Sequence, residues 1–267
     1  PGWFNEDYQN NTENYLKDHI GFRPFFIRIH NQIEYWLFNQ LHAAGVIAGK
    51  KNYLYEENYL KAYYGLDFLG KDSISENISI LSAIRDSLQK NQTELLILFA
   101  PGKASFYPEY HPPAYDFVTP TLSNLEYYKS QLAKFHMHTI DLNHWFKSMK
   151  DTSTFVLYPK YGIHWSDYGM VLAMDSLTKY IEDVKNVDIP NPEIVSIEIS
   201  NQYRNTDYDI GESLNLFIQL SPAGQLAYPK FTWKKNSTTR KPKVIVIADS
   251  FYWGMFNKGI ATEAFSL

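Results

Sequence analysis

Two short apolar runs constrain this chain more than anything else in it. Glu94-Leu-Leu-Ile-Leu-Phe-Ala100 leads into Pro101-Gly102-Lys103, and Lys243-Val-Ile-Val-Ile-Ala-Asp-Ser-Phe leads through Asp249 into Ser250. A half-exposed strand would alternate apolar and polar residues. A short continuous run fits a strand covered on both faces, as in a parallel sheet between helices. The rest of the chain fits that frame. Ile74 to Leu88 reads as an amphipathic helix, Leu122 to Phe135 as another, His138 to Leu142 as a strand followed by a short helix to Met149, and Phe155 to Tyr158 as a brief strand. Ser166 reads as the N-cap of a helix running to about Val184, since its hydroxyl can accept from the first free N–H groups. Strands alternating with helices predict a three-layer α/β core with a mostly parallel sheet.

Two further stretches flank that core. Glu6 to His19 and a segment with Phe25, Phe26, Ile29, Ile33, Trp36 and Leu37 read as two helices, the second with one strong apolar face, and Gly45 to Tyr55 reads as a hairpin turning near Gly49 to Asn52. Residues 1–65 are therefore expected to form an N-terminal extension of helices and hairpin packed on a core domain of residues 66–267. An irregular insertion is expected at about 185–243, with a strand at Ile194 to Ile199 and four prolines, Pro190, Pro192, Pro222 and Pro229.

Composition removes several function classes. The chain has 267 residues and no cysteine, so disulfide scaffolds, cysteine-ligated zinc, iron–sulfur clusters and thiol nucleophiles are excluded. A net charge of −4 with no basic stripe argues against nucleic acid as the main partner. No apolar run reaches the ~18 residues of a membrane span. His136 and His138 alternate as metal ligands can, but no third ligand accompanies them at a recognisable spacing. No glycine-rich phosphate loop occurs. No metal and no cofactor is expected. The aromatic load, Tyr 21, Phe 17 and Trp 6, suits either sugar-binding surfaces or a filled core.

In an open α/β sheet, ligands bind beyond the carboxyl ends of the strands. Ser250 falls at such an end, before a helix pattern from Phe251 to Lys258. There its hydroxyl would face the crevice, and the N–H groups after it would be placed to hold an oxyanion. The alternative is a plain helix N-cap. Serine needs a base, and His164, in the loop before the Ser166-capped helix, is the candidate, with Trp165 shielding the pair from water. Lys103 follows the other strand end. It reads as facing the crevice to hold a sugar hydroxyl or oxyanion, or as an exposed turn lysine. Tyr252 and Trp253 read as a sugar platform beside Ser250, or as packing for the helix they begin.

Taken together, these segments resemble a known family. Ala248-Asp249-Ser250-Phe251 is similar to the Gly-Asp-Ser-Phe block of SGNH hydrolases. His164-Trp165 is similar to the Asp-x-His-Trp block of the SGNH-hydrolase-like domain of bacterial alginate O-acetyltransferases of the AlgJ and AlgX type, where the histidine likewise precedes the serine. Asp18-His-Ile-Gly-Phe-Arg23, the hairpin Val46 to Tyr55, Pro101-Gly-Lys103 with Tyr107-Pro108, and Asp209 to Leu214 match further family segments in order. The resemblance implies an SGNH-like fold and an acyl-enzyme mechanism on Ser250. It also implies a polysaccharide substrate, an extracytoplasmic location and a membrane-bound O-acyltransferase partner that delivers acetyl. One position departs from the pattern. The family's catalytic acid lies two residues before the histidine, and here that residue is Gly162. Asp209 is the first substitute because it lies in a matched segment, Asp141 the second, and Asp249 is read as structural. An acetyl esterase acting on glycans, or a non-catalytic carbohydrate-binding or assembly protein on the same scaffold, are the alternatives.

The chain opens Pro1-Gly2-Trp3-Phe4 without methionine and ends at Leu267, soon after Ser250. Removal of a signal or anchor and a truncated C-terminus are the corresponding expectations.

Overall fold

The computed structural model describes residues 6–19, 21–222, 224–235 and 238–266. Pro1 to Phe4, Ile20 and the Asp18 side chain in the Asp18–Arg23 motif, and Asn236 and Ser237 in the polar stretch before Lys243 lie outside the described residues. The chain divides into two compact units. One comprises residues 1–44 with 211–220, the other residues 45–210 with 221–267. The hairpin thus groups with the α/β core, and the boundary falls at residue 44, not 65.

In the smaller unit, helices α1 (Glu6–His19) and α2 (Arg23–Phe38) occupy the expected stretches. The expected apolar face of α2 is not the buried one. Phe26, Trp36 and Leu37 are exposed, whereas Asn31 and Gln32 are buried. The reason is polar. Asn31 donates to the Leu214 carbonyl at 3.0 Å, and Gln32 accepts from the Ile218 N–H at 2.8 Å, so the returning segment 211–220 docks on α2 through its backbone.

The larger unit begins with the hairpin, β1 (Val46–Ala48) antiparallel to β2 (Leu54–Glu56), which runs directly into α3 (Glu57–Tyr64). Next come α4 (Lys71–Gln89), β3 (Leu96–Phe99), a single turn α5 (Lys103–Phe106), α6 (Asn124–Lys134), β4 (His138–Asp141) and α7 (Leu142–Met149). Strands β3 and β4 pair in parallel, Leu96 opposite His138 and Phe99 opposite Asp141. Alternate residues of β3 serve two helical layers. Ile97 and Phe99 pack with Ile74 and Ile78 of α4 and Leu132 of α6. Leu96 and Leu98 join a larger core with Phe146 of α7 and with Met170, Val171 and Met174 of α8 (Asp167–Lys185). Ser166 caps α8, accepting from the Gly169 N–H at 3.0 Å.

Four expectations require correction. The parallel arrangement is confined to β3 and β4, since the other two sheets among the described residues are antiparallel pairs. Phe155 to Tyr158 forms no strand. Its carbonyls at Val156 and Leu157 are taken by the Ser166 hydroxyl and N–H, so the cap of α8 satisfies this backbone in place of a ladder. The stretch 185–243 contains more order than expected: β5 (Asn191–Ser200) pairs along its length with β6 (Leu226–Lys234), with a bulge between Ile194 and Ser196. Pro229 hides β6 in the sequence. A two-stranded ribbon leaves one edge of each strand unpaired, where proline forfeits no ladder bond.

The run before Ser250 is also not a strand. Beyond one parallel bridge from Lys243 to Ser266, residues 244–249 join no ladder, and Ile245 and Ile247 are 93% and 97% exposed. β-branched residues favour extended backbone, but a strand exists only where a neighbouring edge receives it. After this run come α10 (Phe251–Asn257) and α11 (Ile260–Glu263), whose Phe251, Met255 and Ile260 enter the main core.

Candidate active site

Ser250, at the start of α10, is exposed, and its hydroxyl makes no capping bond to the helix. It meets His164 instead, with Oγ 2.8 Å from Nε2. The opposite ring nitrogen, Nδ1, lies 2.5 Å from Oδ2 of Asp209, the first residue of α9 (Asp209–Ser213). A carboxylate only accepts, so its place puts the ring hydrogen on Nδ1 and leaves the Nε2 lone pair facing the serine hydroxyl. The other Asp209 oxygen accepts from the Ile163 N–H at 2.7 Å, which ties the acid to the loop as well as to the ring. Phe251 packs against the imidazole at 4.7 Å and against Trp165 at 5.1 Å.

Gly162 has no room for a side chain. A Cβ at this position would run into the Thr206 carbonyl and lie 2.7 Å from Pro159 and 3.1 Å from the Asp207 carbonyl. The absence of a side chain lets the 206–209 segment lie against the histidine loop, and that segment carries Asp209. The remaining carboxylates have other duties. Asp141 accepts from the His144 N–H at 2.9 Å and pairs with Lys129. Asp249 accepts from the Phe251 N–H at 3.0 Å.

The residues expected around this group separate into two sets. Lys103 does not face a crevice: it is 1% exposed, and its nitrogen donates to the carbonyls of Lys160 at 2.6 Å and Gly162 at 2.7 Å. Its position in the first turn of α5 directs it inward beneath the histidine loop. Trp165 is 3% exposed and packs in the core with Phe146 and Phe251, so it presents no binding surface. Tyr252 is half-buried, and Trp253 is 61% exposed on α10, edge-on to Phe256. The oxyanion expectation changes too. The three N–H groups that follow Ser250 are engaged, Phe251 with the Asp249 carboxylate, Tyr252 with the Asp249 carbonyl and Trp253 with the Ser250 carbonyl.

Sequence reasoning passed over three neighbours. The buried Tyr158 hydroxyl donates to the Ile163 carbonyl and lies 3.4 Å from that of Pro101. Burial and the Asp209 charge hold the Glu56 carboxyl above its usual range, against the pull of His164. The Tyr59 hydroxyl is pushed up to about 12 by burial and by the charges of Asp249, Glu56 and Asp209. None lies in a motif, and each reaches the site only through tertiary packing. Among the described residues, no group of three or more histidines and carboxylates could hold a metal ion.

Residues 46–244 match the family described as SGNH hydrolase-like domain, acetyltransferase AlgX. The chain belongs to this family. Two similar proteins are each named probable alginate O-acetylase AlgJ. The one from Pseudomonas syringae pv. tomato is 24% identical over 99 residues, covering 37% of this chain and 24% of its own length. The one from Pseudomonas putida is 30% identical over 78 residues, covering 29% of this chain and 19% of its own. The matches thus span a quarter or less of these relatives. Among solved structures, the O-acetyltransferase domain of Pseudomonas putida AlgJ aligns with a TM-score of 0.49 at 18% identity, over 71% of this chain and 66% of its own. Pseudomonas aeruginosa AlgX aligns with a TM-score of 0.47 at 14% identity, over 71% and 44%. An SGNH-like domain is the fold that this match implies, and the position two residues before His164 is Gly162, which carries no carboxylate.

Proposed function

We propose that this chain is a serine-dependent O-acetyltransferase that modifies an extracytoplasmic polysaccharide. The observation that carries the reading is the unbroken line of contacts from Asp209 through His164 to the exposed Ser250 hydroxyl. Ser250 Oγ attacks the acetyl carbonyl of a donor while its proton passes to His164 Nε2. Asp209 faces the imidazolium that forms and keeps the ring oriented. The tetrahedral adduct collapses, the donor's leaving oxygen takes the proton from His164, and acetyl remains as an ester on Ser250. A sugar hydroxyl then gives its proton to His164 and attacks that ester. Acetyl moves to the sugar, and the proton returns to Ser250. The oxyanion would meet the N–H of Ser250 itself, because those of residues 251–253 are occupied. A membrane-bound O-acyltransferase is the partner proposed to supply acetyl.

If water replaces the sugar in the second step, the same site is an acetyl esterase. Incubation with an acetyl ester, with and without acceptor oligosaccharide, separates the two. Acetylated oligosaccharide that requires Ser250 supports transfer, whereas release of acetate alone makes the chain an esterase. Glycan binding that persists in Ser250→Ala, with no turnover by the wild type, would leave a binding protein.

A further inference from the structure

We propose that Lys103 is a positioning residue, whose buried side-chain nitrogen holds the loop that presents His164 to Ser250. The proposal rests on the acyl-transfer reading for its kinetic consequence but not for its geometry.

Lys103 is fully enclosed and forms no ion pair within 4 Å among the described residues. Burying an amine without a touching carboxylate is costly, and an apolar side chain of similar volume would fill the same space more cheaply. Packing alone does not account for a lysine here. Its two bonds run to the carbonyls of Lys160 and Gly162, four and two residues before His164. The next residue is held at both of its backbone polar groups. The Ile163 N–H is bonded to Asp209 and the Ile163 carbonyl to the Tyr158 hydroxyl. The backbone from 160 to 163 is therefore pinned at successive polar groups immediately before the histidine. Lys103 also connects two parts of the site rim. It stands just past the carboxyl end of β3, so its bonds tie that strand end to the histidine loop.

The Lys160 carbonyl also accepts from the Leu54 N–H at 3.3 Å, whereas Lys103 reaches both it and the Gly162 carbonyl, and a lysine nitrogen supplies two donors whether protonated or not. This matters because burial drives the Lys103 amine well below its ordinary value. The Asp209 charge opposes that shift and Lys160 adds to it. The Tyr55 ring, 5.7 Å away, covers another side of the nitrogen. The groups facing His164 are Asp209, Ser250, the Phe251 ring and, at longer range, Glu56.

The test is Lys103→Met, which keeps the chain length and removes both donors. Its first readout needs no activity: the low-field proton NMR signal of the His164 Nδ1–H against Asp209. The proposal expects that signal to shift or vanish in folded Lys103→Met. An unchanged signal overturns it, even if the melting temperature falls, because Lys103 would then be only a structural residue. The second readout is turnover of an acetyl ester, where misplacing the base is expected to lower kcat by about tenfold to a hundredfold with KM little changed. An unchanged kcat also overturns the proposal. Should the methionine variant fail to fold, Lys103→Gln carries the test, because its side chain is one bond shorter and cannot keep both carbonyl contacts at their present lengths: a shifted signal supports the proposal, and an unchanged one overturns it. If the wild type shows no serine-dependent turnover, the acyl-transfer reading falls, while the NMR comparison still decides the role of Lys103.

Discussion

Asp209 serves His164 twice, through one oxygen at the ring nitrogen and through the other at the N–H of the residue preceding it. In the proposed mechanism Asp209, from a separate segment, is the group that orients the imidazole. Asp209→Asn should expose the arrangement. An amide N–H facing Nδ1 would force the ring hydrogen onto Nε2, the wrong nitrogen for receiving the serine proton. Serine-dependent turnover should then fall about a thousandfold or more. Adding Gly162→Asp should not rescue it, because the new side chain would collide with the Thr206 carbonyl. Recovery of turnover in the double variant would contradict this account of the glycine.

Asp207 predicts a pH-dependent stability. It is buried, it accepts from the Tyr228 hydroxyl, and burial foremost pushes it up to about 6. Because this value is raised on folding, the native state holds a proton that the unfolded chain has already lost between about pH 4 and pH 6. The stabilisation is complete below the unfolded value and disappears as pH rises through the folded one. Asp207→Asn should remove that titration, so the wild type loses roughly 2 to 3 kcal/mol relative to the variant between pH 4 and pH 8. Urea unfolding of both proteins across this range measures the difference. Parallel stability curves would refute the assignment.

Phe251 couples the core to the site, since its buried ring touches both His164 and Trp165. Phe251→Ala should cost about 3 to 4 kcal/mol of stability, as truncation of a buried aromatic does. It should also depress turnover at temperatures where the variant remains folded. Full turnover in a destabilised variant would separate the two roles.

Trp253 is the exposed aromatic next to Ser250. If it carries acceptor sugar, Trp253→Ala raises the acceptor KM more than it changes cleavage of a small acetyl ester. An unchanged acceptor KM returns Trp253 to packing against Phe256.

Local signals were legible in the sequence, and those that depend on distant packing were not. Ser166 and the helix it caps, the hairpin and the parallel strands β3 and β4 all rest on nearby residues. Ser250 and His164 stand out through their motifs, but Asp209 does so only through a matched segment, because nothing around it in the chain marks it as a partner of an imidazole. Lys103 shows the limit clearly. A lysine after a Pro-Gly turn has the pattern of a surface residue, and only the loop folded over it makes it a buried donor. The runs at Phe155 and Val244 carry strand-forming residues but lack a receiving edge, a property no local pattern records.

The central claim is that Ser250 carries acetyl as a covalent intermediate. The most direct test is brief reaction with an acetyl donor, acid quench and peptide mass spectrometry. The account predicts one acetyl group on the peptide containing Ser250, absent in Ser250→Ala and strongly reduced in Asp209→Asn. Product formation at the wild-type rate in Ser250→Ala, with no acetyl-peptide at any quench time, would contradict it.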